Sequence, residues 1–102
     1  MNSKAFISSL KDWVGKEVTL SGWLYNNRPS GKVQFLILRD GTGLCQCIIE
    51  QGKVADDLYD ALSRLGQESS LSITGTVRAE PRSPGGYELA ACGAQIHGPA
   101  TD

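Results

Sequence analysis

The stretch RPSGKVQFLILRDGTG, from Arg28 to Gly43, contains residue types that could bind nucleic acid. Its FLIL segment predicts a strand with apolar side chains on both faces, although only one face can point into the core of a small domain. If Leu36 and Leu38 fill the core, three side chains point outward: Phe35, Ile37 and Arg39. An outward aromatic ring beside arginines is typical of surfaces that stack single-stranded bases. Burial of Phe35 in the core or under an N-terminal helix is the alternative.

A second strand-like segment, LCQCIIE, carries a candidate base-reading residue. If Cys45, Cys47 and Ile49 point inward, the same alternation sends Gln46 outward, onto the face that carries Phe35. A glutamine amide has both a donor and an acceptor, which suits recognition of the hydrogen-bonding edge of an unstacked base. The simpler interpretation is an ordinary exposed strand residue.

The sequence gives little support for metal binding or for nucleophilic catalysis. Cys45, Cys47, Cys92 and His97 could in principle bind a metal, but two sulfurs on alternate residues of one strand lie about 6–7 Å apart from the strand rise alone. That separation exceeds what tetrahedral zinc readily accepts, so no metal site is predicted. His97 is the only histidine, and no serine or cysteine pairs with it by spacing. The sequence therefore predicts no catalytic residues.

Length and composition indicate one ordinary globular domain. The chain has 102 residues, of which 40% are hydrophobic and 21% charged. No apolar run approaches the roughly 20 residues that span a bilayer, and the start lacks the features of a signal peptide. Three cysteines without framework spacing fit reduced thiols. These features predict a cytoplasmic protein that does not associate with membranes.

The net charge of −1 argues against nucleic-acid binding through bulk electrostatics, so any such function must depend on a local site. Positive charge is concentrated at predicted strand ends and loops. Arg28 and Arg39 flank the second predicted strand, and Arg82 lies in the loop before the last strand. We include all three among the candidate contacts to nucleic acid. Solvated surface charge is the alternative for each of them.

The periodicity predicts five strands and two helices. A short helix begins at a Ser3 cap and ends at Gly15, with Phe6, Leu10, Trp13 and Val14 on one face. The second helix lies in 54–65, with Val54, Leu58, Ala61, Leu62 and Leu65 on one face. The strands are predicted at 17–27, with a bulge or bend at Gly22, and at 33–40, 44–50, 70–80 and 86–97, followed by a polar tail at 98–102.

This order of elements, with one helix between the third and fourth strands, is that of an OB-fold, an all-β five-stranded Greek-key barrel. The second and third strands of OB-folds commonly bind oligonucleotides. The predicted fold thus places Phe35 and Gln46 on a surface that such proteins use for binding.

Four segments carry a resemblance to a known family: GWLYNNR, FLILRDGTG, the Gln of LCQCII eleven residues after Phe35, and GGYEL after a proline-rich loop. They resemble the N-terminal anticodon-binding domain of asparaginyl-tRNA synthetases, which are class II enzymes related to the aspartyl and lysyl synthetases. The resemblance covers about Ser3 to Leu89, and FLxLRDGTGxxQ is its most specific part.

The resemblance implies a role for individual residues. Phe35 matches the aromatic residue that stacks on the central uridine of the anticodon, and Gln46 matches the residue that reads the edge of that uridine. Arg28 matches an arginine that helps to hold the base, and Glu88 matches a glutamate that contacts the first anticodon base. The implied partner is therefore a tRNA anticodon stem-loop.

The resemblance also implies a longer parent enzyme that ligates asparagine to its tRNA, using ATP and Mg²⁺, and forms a homodimer through its catalytic domain. The present sequence contains none of the adenylate-forming motifs, so we expect it to be a single domain, 1–102, without cofactor or catalysis of its own. An excised domain of the parent enzyme is the expectation, and a free-standing relative is the alternative. A general single-strand-binding or protein-interaction OB-fold module is the alternative function.

Overall fold

The computed structural model describes residues 3–98, which form a closed five-stranded barrel. The barrel strands are β1 Glu17–Ser30, β2 Val33–Arg39, β3 Leu44–Glu50, β4 Ser70–Ala79 and β5 Tyr87–Gly98. β1 pairs antiparallel with β2 and β4, β2 with β3, and β4 with β5. A parallel pairing of β3 with β5 closes the barrel. The predicted OB-fold is confirmed.

Alternation along the strands places one set of side chains inside the barrel. In β2 and β3 every second residue is buried, including Leu36, Leu38, Cys45 and Cys47, each with no exposed surface. The predicted orientations of both strands are therefore confirmed. Leucine, isoleucine and valine from all five strands complete the core, so burial of apolar surface fixes which side chains remain outside.

The helix α1, Asp56–Ser63, lies between β3 and β4 and covers one end of the barrel. Leu62 is fully buried and Val54 nearly so, whereas Leu58 and Leu65 are partly buried. The prediction for Ala61 is wrong, because that residue is exposed. The helix is only eight residues long, so only a narrow stripe of it contacts the core.

The predicted N-terminal helix is a 3₁₀ helix, Ile7–Asp12, preceded by a two-residue strand, Ser3–Lys4, that pairs parallel with β1. Three residues per turn place Ile7 and Leu10 on the buried side. The predicted face is therefore wrong for Phe6 and Val14, which are exposed. The N-cap position is Phe6 rather than Ser3.

Two glycines allow backbones to approach closely. A Cβ atom on Gly22 would lie 2.2 Å from the carbonyl oxygen of Arg39, and one on Gly75 would lie 2.2 Å from that of Ala90. The bulge in β1 is at Tyr25, between Leu24 and Asn26, and not at Gly22 as predicted. Gly22 is needed for the close packing of β1 against the end of β2.

The remaining predicted boundaries are close to those observed. β1 extends three residues beyond its predicted end at Asn27, so that Pro29 and Ser30 belong to the hairpin ladder rather than to the turn. Except for Gly98, which ends β5, the predicted polar tail lies outside the described residues. Within residues 3–98, no helix combines the length and the apolar character that a membrane crossing requires.

Candidate nucleic-acid interface

The outward side chains of β2, β3 and β5 form a continuous surface beside the end of β1. Phe35 lies opposite Arg28 on β1 and Ile48 on β3, and Ile37 lies opposite Gln46. We call the surface defined by Arg28, Phe35, Gln46 and Glu88 the β2–β3–β5 face. Gln46 is also in register with Glu88 on β5. Gln46 is thus the diagonal neighbour of Phe35, and the sheet register brings these four sequence-predicted residues onto one face.

Phe35 is partly buried, and its ring is in contact with an arginine. The guanidinium carbon of Arg28 lies 5.3 Å from the centre of the Phe35 ring, which is a cation–π geometry. At an exposed site this contact is worth about 0.5–1 kcal/mol. Stacking of a base on an aromatic ring is worth about 1–3 kcal/mol. The contact with Arg28 is therefore no stronger than one base-stacking contact.

The amide of Gln46 is oriented by the loop between β4 and β5. Its Nε2 donates a hydrogen bond of 3.4 Å to the hydroxyl of Ser83, a buried residue. Turn hydrogen bonds hold Ser83 in place, since its backbone nitrogen donates to Glu80 and its carbonyl accepts from Gly86. One of the two Nε2 hydrogens is thus engaged, which leaves the amide oxygen as an acceptor and the second hydrogen as a donor for a ligand.

Glu88 is held by an ion pair across β4 and β5. Nη2 of Arg78 lies 3.0 Å from Oε1 of Glu88, whose side chain is only 13% exposed, and the two residues are also backbone partners. The ion pair fixes the direction of a carboxylate that lies next to Gln46. The face thereby presents an aromatic ring, an oriented amide and an oriented carboxylate on three neighbouring strands.

The other two predicted contacts lie apart from this group. Arg39 is on the same outward row of β2 as Phe35, four residues along the strand, and pairs with Glu68 at 3.6 Å. Arg82 is exposed in the β4–β5 loop, where its backbone nitrogen donates to Glu80. The structure therefore places neither arginine beside Phe35.

The cysteines and the histidine lie on different sides of the barrel wall. Cys45 and Cys47 are inside the barrel, and a hydrogen bond with Cys45 and then burial raise the pKa of the Cys47 thiol well above its usual range. Cys92 and His97 are exposed on the outside of β5. Burial, followed by the charge of Glu17, raises the pKa of Cys92. The four residues considered as metal ligands are thus not assembled into one site.

Sequence reasoning missed two residues that position the site, Ser83 and Arg78. Each acts through a partner that is distant in sequence, because Ser83 is 37 residues from Gln46 and Arg78 reaches Glu88 across a strand pair. Serine in a proline- and glycine-rich loop predicts only a turn. The position of Arg78 on an outward row, ten residues before Glu88, is the one signal that could have indicated the ion pair.

Comparison with known families gives one match that covers most of the chain. The family model named tRNA_anti-codon, described as "OB-fold nucleic acid binding domain", matches residues 18–96. The matched range includes β2, β3 and β4, all but the outer ends of β1 and β5, and every residue of the β2–β3–β5 face.

Individual relatives agree with this match. The chain is 50% identical over 93 residues to an asparagine-tRNA ligase of Pelotomaculum thermopropionicum, covering 91% of this chain and 22% of that protein. It is 55% identical over 75 residues to an asparagine-tRNA ligase of Koribacter versatilis, covering 74% of this chain and 17% of that protein. The chain therefore spans about a fifth of the length of the curated relatives it matches.

A solved structure shows the same architecture. Asparaginyl-tRNA synthetase from Pyrococcus horikoshii, complexed with asparaginyl-adenylate, superposes with a TM-score of 0.90 at 32% sequence identity, over 99% of this chain and 24% of that one. The similarity is therefore to one part of a larger enzyme.

Proposed function

This chain belongs to the tRNA_anti-codon family of OB-fold nucleic acid binding domains, and on that premise we propose that it recognises the anticodon of a tRNA through its β2–β3–β5 face. The observation that carries this proposal is the placement of Phe35, Gln46 and Glu88 on three adjacent strands of one face. Stacking supplies affinity for an unpaired base, and the polar groups supply selectivity.

Phe35 is the platform for the central base of the anticodon. A base on the ring replaces the guanidinium of Arg28, which then lies close enough to bond to the base or to the neighbouring phosphate. Stacking depends little on base identity, because every base has a π-face. Phe35 and Arg28 therefore favour an unpaired base without selecting which one.

Gln46 selects uridine at the central position. One of its two Nε2 hydrogens is donated to Ser83, which orients the amide so that its oxygen accepts a hydrogen bond from the base while the second Nε2 hydrogen remains a donor. Uridine offers a donor at N3 beside an acceptor at O4, which the oriented amide matches with its oxygen and its second hydrogen. Cytidine has an acceptor at N3 beside a donor at N4, so in the same orientation each group would face its like and stay unsatisfied. The fixed orientation of the amide thus converts hydrogen bonding into a preference for uridine. Glu88, an acceptor held by Arg78, contacts the first anticodon base through that base's donors.

The parent protein is an asparagine-tRNA ligase, in which this domain directs the correct tRNA to a catalytic domain elsewhere in the protein. Ligation of asparagine with ATP and Mg²⁺, and dimerisation through the catalytic domain, belong to that longer protein, which would act in the cytoplasm. Similarity to asparagine-tRNA ligases at 50% identity or more supports this assignment over the related aspartyl enzymes.

The test is titration of labelled anticodon stem-loops that differ only in the central base, at fixed salt concentration. Phe35→Ala should weaken binding of the uridine loop about 5- to 150-fold, because one stacking contact is lost. Gln46→Ala should reduce the preference for uridine over cytidine about 2- to 13-fold, because the variant loses one hydrogen bond with a net contribution of about 0.5–1.5 kcal/mol. Ser83→Ala should reduce the same preference without removing the amide.

Thr74→Val is the matched control, because it changes an outward strand residue on another side of the barrel. It should bind as the unmodified protein does. If Phe35→Ala also binds as the unmodified protein does, and the protein shows no preference between the two loops, the anticodon proposal is wrong and an interaction-module function takes its place.

A further inference from the structure

A second aromatic residue lies exposed at the far end of the same outer surface. Tyr25 is 43% exposed and borders a hollow of about 370 Å³ that is also lined by Arg39 and by residues 41–44. The hollow is within the roughly 300–1,000 Å³ range of small-ligand sites. An exposed aromatic ring, a cation and a hollow of this size are the elements of a nucleotide-binding subsite.

The bulge in β1 is what positions Tyr25. It leaves Tyr25 without a partner on β2, and Tyr25 and Asn26 are both exposed after the buried Leu24, so the alternation is interrupted here. Residues 67 and 68 hold the bulge through two hydrogen bonds. Nε2 of Gln67 donates to the carbonyl oxygen of Tyr25 at 2.8 Å, and the backbone nitrogen of Glu68 donates to the carbonyl oxygen of Leu24 at 2.8 Å. The ring is therefore presented from a hydrogen-bonded segment.

The hollow is continuous with the β2–β3–β5 face. Arg39 occupies the same outward row as Phe35 and Ile37, and four residues of strand separate Arg39 from Phe35 by about 13 Å. OB-folds accommodate about 4–16 nucleotides of single strand, which is more than one anticodon triplet. An RNA strand that lies along this row therefore extends past the bases that Phe35 and Gln46 contact.

We propose that Tyr25 and Arg39 form a second stacking subsite, which binds one unpaired nucleotide of the anticodon loop outside the triplet. The base stacks on the Tyr25 ring, and the Arg39 guanidinium bonds to the adjoining phosphate. The proposal rests on the proposed anticodon-binding function, since it requires the loop to be held at Phe35.

Glu68 competes with the RNA for Arg39. Its carboxylate lies 3.6 Å from the guanidinium, and the two side chains are 57% and 46% exposed, so the ion pair is weak and easily displaced. The backbone of Glu68 has a φ of 70°, in the left-handed region that few residues other than glycine adopt. The pair holds the guanidinium at the edge of the hollow until a phosphate replaces the carboxylate.

The experiment combines protein variants with a scan of the RNA. Each loop nucleotide outside the triplet of a labelled hairpin with a central uridine is replaced in turn by an abasic nucleotide, and the affinity is measured at fixed salt. One abasic position should weaken binding about 5- to 150-fold, the effect of one lost stacking contact. Tyr25→Ala should weaken binding of the intact hairpin similarly and abolish the effect of that abasic position, whereas Tyr25→Phe keeps the ring and should retain both.

Glu68→Gln supplies a second readout that does not remove the aromatic ring. It should tighten binding about 2- to 5-fold by freeing Arg39, and should have no effect in an Arg39→Gln background. Thermal unfolding of each variant shows whether the barrel is intact.

Phe35→Ala separates the possible failures. If Phe35→Ala weakens binding while Tyr25→Ala, in a folded protein, does not, the second subsite is refuted and the anticodon function stands. If neither variant changes the affinity, both proposals fail. The subsite is also refuted if Tyr25→Ala and each abasic substitution weaken binding independently, so that their effects add at every position. In that case no loop nucleotide depends on the Tyr25 ring for its contribution to binding.

Discussion

Two outer surfaces of the same barrel differ in what their side chains can bind. On the β2–β3–β5 face, the ring of Phe35, the oxygen of Gln46 and the carboxylate of Glu88 are oriented by neighbours yet keep atoms available for a ligand. On the outside of β1 and β4, hydroxyl groups bond to one another across the strands, at 2.8 Å for Thr19 with Thr74 and 2.7 Å for Ser21 with Ser72. We call this second surface the hydroxyl face.

The comparison shows that exposure and polarity alone do not make a binding surface. The hydroxyl face borders a groove of about 640 Å³, larger than the hollow beside Tyr25. Its side chains are short, and the hydroxyl of Ser72 is also within 2.6 Å of His97. Each of these pairs uses one hydroxyl hydrogen for the bond within the pair, so a ligand that binds there must share or replace an existing hydrogen bond. The two faces of the barrel therefore differ in which groups they leave available to a ligand.

The largest change in stability is expected when a side chain on the inner side of β2, rather than on its outer side, is truncated. Leu36→Ala should lower the free energy of unfolding by about 2–5 kcal/mol, because it leaves a cavity in a fully packed core. Phe35→Ala, one residue away, should cost less stability than Leu36→Ala but should weaken RNA binding. Chemical denaturation of both variants measures this contrast. An equal loss of stability would show that Phe35 is a core residue.

The carboxylate of Asp40 ties the turn after β2 to the N-terminal 3₁₀ helix. The carboxylate of Asp40 accepts hydrogen bonds from the backbone nitrogen of Ile7 and from the nitrogen and hydroxyl of Thr42. Asp40→Ala removes these bonds and should lower the free energy of unfolding by about 1–3 kcal/mol. Asp12→Ala, which removes an exposed carboxylate at the end of the 3₁₀ helix, is the control.

The stabilisation by Asp40 should also depend on pH. Burial alone would raise the pKa of Asp40, but the hydrogen bonds from Thr42, Ile7 and Gly43 outweigh it and lower the pKa below 3.8. A carboxyl group with a lowered pKa in the folded state stabilises the protein above its unfolded pKa, and that stabilisation is lost as the pH falls through the folded value. Unfolding measured between pH 3 and pH 6 should therefore show a smaller acid destabilisation in Asp40→Ala. An unchanged pH dependence would contradict this role.

The smallest expected effect lies on the hydroxyl face. Thr74→Val keeps the branched shape and removes one hydroxyl from a partly buried pair. It should lower the free energy of unfolding by about 0.5–1.5 kcal/mol, the net contribution of one hydrogen bond. RNA affinity should not change at all. A loss of affinity comparable to that of Phe35→Ala would remove the distinction between the two faces.

The sequence predicts the β2–β3–β5 face well because strand alternation is a local property. Once Leu36 and Cys47 are assigned to the core, the period of two determines the orientation of Phe35 and Gln46. The family resemblance then indicated which outward residues to consider. The barrel topology was also predictable, since the order of strands and helix is characteristic of an OB-fold.

The features that were mispredicted depend on geometry that the sequence does not encode locally. The period of an α-helix predicts that Phe6 is buried, but a 3₁₀ helix buries Ile7 in its place. Gly22 in a strand pattern predicts a bulge or bend, whereas the bulge lies at Tyr25 and Gly22 makes a close contact with the backbone of Arg39. The orientation of Gln46 by Ser83 depends on where a long-range loop comes to rest, which no periodicity reveals.

A binding footprint on the protein shows directly which face contacts the RNA. Backbone amide NMR shifts of the domain are followed while a hairpin with a central uridine in its loop is added. We predict that the large shift changes cluster around Arg28, Phe35, Gln46 and Glu88, while the amides of Thr19, Ser21, Ser72 and Thr74 stay unchanged. Changes centred on the hydroxyl face, with Phe35 and Gln46 unaffected, would contradict the central claim that the β2–β3–β5 face binds the anticodon.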